Sequence, residues 1–169
     1  MPLQNKTKRL TTLGLLGAAA FVLSWLDSLI PLSGALPGAK LGLANLSVLC
    51  GLYLLGRKQG FGLCVLKILL QTFLFGNAYS FFYGLAGGLL SFLVMALLLE
   101  RASTVFVSVL GGMSHNLGQI AVAAVVLKTP GLFGYLPVLM LCGLGAGAAI
   151  GIAGGILVQR IRPIVNKGI

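Results

Sequence analysis

Acidic residues are almost absent from this sequence. Its 169 residues include only two, Asp27 and Glu100, against twelve Lys and Arg and one His. Charged residues make up 8% of the chain, where an ordinary soluble domain carries about 25%. So little charge cannot cover a water-facing surface, and a soluble globular domain is excluded. Disorder is excluded by the same figures, because disordered segments are polar and charge-rich. Two separated acids also leave no carboxylate cluster for metal binding or paired acid–base catalysis. Cysteine is scarce as well. Cys50, Cys64 and Cys142 stand alone in apolar runs without Cys-x-x-Cys spacing, and they read as small packing residues. No phosphate-binding G-x-x-x-x-G-K-[ST] loop is present, and no strand precedes the glycine run 143–155, so its G-x-G spacing is not a dinucleotide motif. No serine stands beside a base in a recognisable nucleophile order. No cofactor, no metal and no catalytic residue is expected.

What is present is apolar: 58% hydrophobic residues and a mean hydropathy of +1.06. The 25 glycines follow no three-residue period, so they do not mark a fibrous repeat. The class is polytopic membrane protein. One span needs about 20 apolar residues, so six would use about 120 and leave short loops. The apolar segments predict helices at 10–30, 41–56, 61–75, 81–99, 104–127 and 135–158, in one domain covering residues 1–169. The first is too long in its apolar part, and lacks the cleavage pattern, for a signal peptide. Ile30–Pro31 and Pro37 mark a loop, Arg57–Gly60 a tight basic turn, Gly76–Asn77 a turn, and Thr129–Pro130–Gly131 a loop. Arg160, Arg162 and Lys167 form a basic tail.

Six spans put both termini on one face. That face carries Lys6, Lys8, Arg9, Arg57, Lys58, Arg101, Arg160, Arg162 and Lys167, nine cations, while the other has Lys40 and Lys128, two. The positive-inside rule then makes both termini cytoplasmic. Topology accounts for the basic total, so no nucleic-acid partner is expected.

Small residues recur at four-residue spacing. Gly143, Gly147, Gly151 and Gly155 line helix 6, Gly84 and Gly88 helix 4, and Gly14 with Ala18 helix 1. Such stripes let helices approach closely. For helices 4 and 6 the favoured reading is packing inside the bundle. For Gly14 and Ala18, internal packing and docking of a separate membrane partner stand level.

Polar side chains within spans are costly and mark functional sites by default. Asp27 ends helix 1, and Lys40 and Asn45 open helix 2. Lys67 and Gln71 lie one turn apart on helix 3, which Asn77 ends. His115, Asn116 and Gln119 sit together on helix 5, with Ser91 and Ser114 adding hydroxyls. Most of these belong to the outer half or middle of the membrane. Helices 2 and 3 are short, which would leave a pocket open to the outside. Excess cation and several amides suit an anionic or phosphate-bearing ligand, or a polar ring compound. Lys67, His115, Asn116 and Gln119 are the first candidate ligand-binding residues, then Lys40, Asn45, Gln71 and Asn77. Plainer roles exist for several: Asn116 and Ser114 as helix cross-links, Lys67 as the structural partner of Asp27 or of a backbone carbonyl, Lys40 snorkelling to the interface.

Several stretches together carry a resemblance. They are Pro37-Gly-Ala-Lys-Leu-Gly-Leu-Ala-Asn45, Leu74-Phe-Gly-Asn77, Gly84-Leu-Ala-Gly-Gly-Leu-Leu-Ser91 running on to Met95, Gly112-Met-Ser-His-Asn-Leu-Gly-Gln119, and Tyr135-Leu-Pro-Val. Over nearly the whole chain the sequence resembles the Gx transporters, a small membrane family also labelled component I of heptaprenyl diphosphate synthase. That family is similar to the substrate-binding S-components of energy-coupling-factor vitamin transporters. The resemblance implies a six-helix bundle with an outward-facing pocket, a membrane scaffold subunit and two ATPases as partners, and a docking face of small residues on helix 1. Gly14 and Ala18 fall there, although the S-component pattern is usually alanines. The family has Glu where this chain has Asp27 and Arg where it has Lys67, and both changes keep the charge.

The synthase label conflicts with the composition. Prenyl diphosphate synthases hold magnesium and diphosphate with aspartate-rich motifs, which this chain lacks. It is therefore expected not to be an enzyme. The leading expectation is an S-component-like, substrate-binding subunit of a small-solute importer, in a bacterial-type cytoplasmic membrane and in contact with membrane lipid. The alternative is a non-catalytic membrane accessory that partners a prenyl synthase subunit, quinone biosynthesis or a membrane redox complex. A stand-alone carrier would show matched broken helices in two halves, and none is evident.

Overall fold

Among the described residues, four stretches are long and apolar enough to cross a membrane: Lys6–Leu29, Phe81–Leu98, Thr104–Val126 and Pro130–Pro163. The computed structural model describes residues 6–29, 42–75 and 78–166. Among them are six α-helices and no strand: α1 (Lys6–Leu29), α2 (Asn45–Leu55), α3 (Arg57–Phe75), α4 (Ala78–Leu98), α5 (Thr104–Val126) and α6 (Leu136–Asn166). A 3-10 helix, Pro130–Tyr135, leads into α6. The protein is an all-helical membrane bundle.

Neighbours along the chain pack in order, α3 on α4, α4 on α5 and α5 on α6, and α2 closes the ring by touching both α3 and α6. Helix α1 lies outside this ring against α2 and α3. The core is mostly aliphatic. Leu49, Leu52, Leu54 and Leu55 of α2 are almost fully buried with Leu63 and Ile68 of α3 and Val107 of α5. Helix α2 is thus apolar on every side because neighbours surround it.

Several boundaries differ from the sequence reading. The basic turn expected at Arg57–Gly60 is the first turn of α3, and the reversal is made by Gly56 alone. Its φ of 93° is open to glycine, and its N–H donates back to the carbonyls of Gly51 and Leu52. The tail expected after residue 158 is helical through Arg160 and Arg162 to Asn166. With 31 residues α6 exceeds the ~20 residues that a bilayer needs. Helix α2, at 11 residues, reaches about half as far as a span requires. Ser103 caps α5, its Oγ accepting from the Phe106 N–H at 3.3 Å. Cys50 and Cys64 are buried as expected, but Cys142 faces outward from α6.

The glycine stripes go where helices touch. A Cβ on Gly112 would stand 2.6 Å from the Gly143 carbonyl oxygen, one on Gly147 2.7 Å from Val109 Cα, and one on Gly151 2.6 Å from Val105 Cα. Three glycines of α6 thus bring its backbone onto that of α5, as the spacing predicts. Gly88 of α4 faces Ile68 and Cys64 of α3. Gly14 and Ala18 are exposed on α1, with nothing within 4 Å of a Cβ on Gly14.

Arg57, Lys58, Arg101, Arg160 and Arg162 collect at one end, while Lys128 follows α5 at the other. Arg57 Nε donates to the Ala96 carbonyl at 3.2 Å, joining the start of α3 to the end of α4. Arg162 Nη2 donates to the Tyr53 carbonyl at 2.9 Å, joining the ends of α6 and α2. Helix α1 runs alongside α3 in the same direction, with Gly17 against Leu66 and Asp27 against Gln71, so its basic start lies at this end too.

Candidate functional site

Most of the buried polar residues gather away from the basic end, toward where α1 and α3 finish and α2 begins, while Thr12 is buried near the start of α1 and Ser108 near the start of α5. Helix α2 is set there by Gly42, whose φ is 68° and whose carbonyl accepts the Asn45 N–H at 2.8 Å. A Cβ on Gly42 would come 2.9 Å from Asn45 Nδ2. Gly42→Ala is therefore expected to cost about 1–2 kcal/mol from the left-handed backbone alone and to displace Asn45. Thermal unfolding in lipid nanodiscs checks it, and an unchanged midpoint would contradict this role for Gly42.

Among the described residues Lys67 is the largest fully buried side chain, 1% exposed. Its Nζ donates to Asn45 Oδ1 at 2.6 Å. One turn further along α3, Gln71 reaches the buried carboxylate of Asp27 by a long contact of 3.5 Å. Helices α1, α3 and α2 are thus strung together by Asp27, Gln71, Lys67 and Asn45. Insertion of a Lys at mid-membrane costs about 2.5–3.5 kcal/mol, so a buried ammonium needs polar neighbours. Asn45 and the Asp27–Gln71 pair give it a polar environment.

A second group comes from α5. His115, Asn116 and Gln119 are all buried. Asn116 Nδ2 donates to the Leu139 carbonyl of α6 at 2.7 Å. His115 and Gln119 both press on Gly87 of α4, where an added Cβ would meet the His115 carbonyl oxygen at 2.7 Å and Gln119 Cγ at 2.8 Å. The two groups meet at a cavity of about 20 Å³ bounded by Asn45, Ser91, Ser108, His115 and Asn116. The rest of its wall includes Gly42 and the close-packed glycines Gly112, Gly143 and Gly147. That volume holds about one water. Ser91 is 1% exposed and its Oγ has no hydrogen-bond partner, as is also true of Gln119 Oε1.

Of the residues singled out from sequence, Asn45, His115 and Asn116 line this cavity, and Lys67 reaches it through Asn45. Gln71 joins the string from the α1 side, and Gln119 stands behind His115 against α4. Lys40 and Asn77 lie outside the described residues. Ser108 and Gly42 were missed. A serine or glycine in an apolar helix gives no local signal of lining a cavity, since only its neighbours decide that. Among the described residues no group of three His, Cys, Asp or Glu is placed to hold a metal ion.

A family model described as heptaprenyl diphosphate synthase component I matches residues 16–157. No curated protein and no solved structure matches the chain.

Proposed function

We propose, for a chain that belongs to the heptaprenyl diphosphate synthase component I family, that it is the membrane-embedded binding subunit for a small polar solute, as S-components are. In this reading six helices cross or enter the membrane, with α2 reaching only part of the way, both termini are cytoplasmic, and the polar cavity opens toward the outside of a bacterial-type cytoplasmic membrane. Transport would be driven by a scaffold subunit and ATPases, with Gly14 and Ala18 on the docking face of α1. The observation that carries the reading is the Lys67–Asn45 bond of 2.6 Å, which ties a deeply buried ammonium to the wall of a polar cavity. Purely structural helix cross-links do not require a cation at that depth. The reading gives the chain no catalysis, since its two acids lie at opposite ends of the bundle, Asp27 beside Gln71 and Glu100 beyond α4.

The family's description favours a second reading, a non-catalytic membrane accessory that holds a prenyl synthase subunit. Native mass spectrometry of protein purified gently from its own membrane separates the two. A bound polar metabolite, or an attached scaffold with ATPases, is the expected result. A prenyl lipid, quinone or synthase subunit with no ATPase would replace the importer reading with the accessory one.

A further inference from the structure

The two asparagines of the cavity are each held in one orientation by a partner that allows no other. Lys67 has only donors, so the Asn45 atom 2.6 Å from its Nζ must be the amide oxygen. The Asn45 NH2 is then left on the side of Gly42, itself part of the cavity wall. The Leu139 carbonyl has only lone pairs, so the Asn116 atom 2.7 Å from it must be the amide nitrogen. This leaves the Asn116 oxygen as the open half of that amide. Ser91 Oγ, on a residue that lines the same cavity, is without a partner and can donate or accept; Ser91 is 1% exposed. Neither amide can flip without setting donor against donor or acceptor against acceptor.

From this polarity we infer that the cavity is the deepest subsite for the solute, and that it receives one water-sized group that donates and accepts together, a hydroxyl of the solute. The inference deepens the solute-binding reading and rests on it. A carboxylate or phosphate offers acceptors alone and would oppose the Asn116 oxygen. Of the ligand chemistries that the sequence leaves open, this subsite selects a hydroxyl-bearing polar ring compound over the anion. The Lys67 charge acts indirectly, by holding Asn45 with its donor facing inward.

Methanol and fluoride form a contrasting pair of probes, each offering one polar atom of about water's size: the hydroxyl has both functions and fluoride accepts only. The protein in lipid nanodiscs, labelled with 15N-asparagine, reports through the side-chain NH2 resonances of Asn45 and Asn116, assigned by Asn45→Asp and Asn116→Asp. Methanol is expected to shift the Asn45 resonance saturably, and fluoride to leave it in place. A fluoride response as large as that of methanol, or no response to methanol, would overturn the inference. Should either variant fail to fold, wild-type protein still gives this answer, by whether any asparagine resonance saturates with methanol and stays in place with fluoride. Failure of the importer reading looks different: the methanol response persists while no ATPase complex or solute co-purifies.

Discussion

Replacing Gly147 by Val is expected to prevent stable assembly of the bundle, while Gly145→Val on the same helix leaves it intact. The two positions are a half-turn apart and differ in what lies opposite. A Cβ on Gly147 would stand 2.7 Å from Val109 Cα and 2.8 Å from the Ser108 carbonyl oxygen, both backbone atoms of α5. Backbone cannot step aside as a side chain can, so α5 and α6 must separate along the seam that also includes Gly112, Gly143 and Gly151. Overpacking of a fitted interior costs about 1–3 kcal/mol and sometimes more, and a branched side chain against backbone belongs at the upper end. Gly145 is exposed, with nothing within 4 Å of an added Cβ. Thermal unfolding in detergent compares the variants directly. Equal midpoints would mean that the seam does not hold the helices together.

The Lys67–Asn45 bond is expected to appear as a strong coupling between two substitutions. Lys67→Met keeps the length of the side chain and removes its charge. Asn45→Leu keeps the size and removes the amide. Each alone breaks the same 2.6 Å contact and leaves its former partner short of one bond. A hydrogen bond to a charged group contributes about 1.5–3 kcal/mol. The double variant should therefore be more stable than the sum of the single losses predicts, by about that amount. Reversible unfolding of the three variants and the parent closes the cycle. Strict additivity would remove this bond as a source of stability. Both single variants should also lose solute binding, because Lys67→Met frees the orientation of the cavity's donor and Asn45→Leu removes that donor.

The membrane class, the helical content and the six segments follow from sequence, because hydropathy is a sum over neighbours along the chain. The spacing of Gly143, Gly147 and Gly151 likewise announces a close helix contact, since four residues bring a helix back to the same face. It does not say which helix is met, and only the fold assigns α5. The reversal at Gly56 is not legible in sequence for a related reason: Arg57 and Lys58 look like loop residues, but a glycine able to take a φ of 93° turns the chain in one step. The family is readable in the motif stretches, and the match over residues 16–157 establishes it.

For the site, sequence identified most of the polar residues through their cost inside a membrane. Their arrangement is a matter of long-range contacts. Lys67 and Asn45 are 22 residues apart, and Asn116 and the Leu139 carbonyl 23. From composition, excess cation and several amides suit an anionic or phosphate-bearing ligand, or a polar ring compound. In the fold, Lys67 donates to an amide, and the amide rather than the ammonium borders the cavity. An amide has a donor half and an acceptor half. Which half it presents is fixed by the partner that holds it, and that partner comes from another helix.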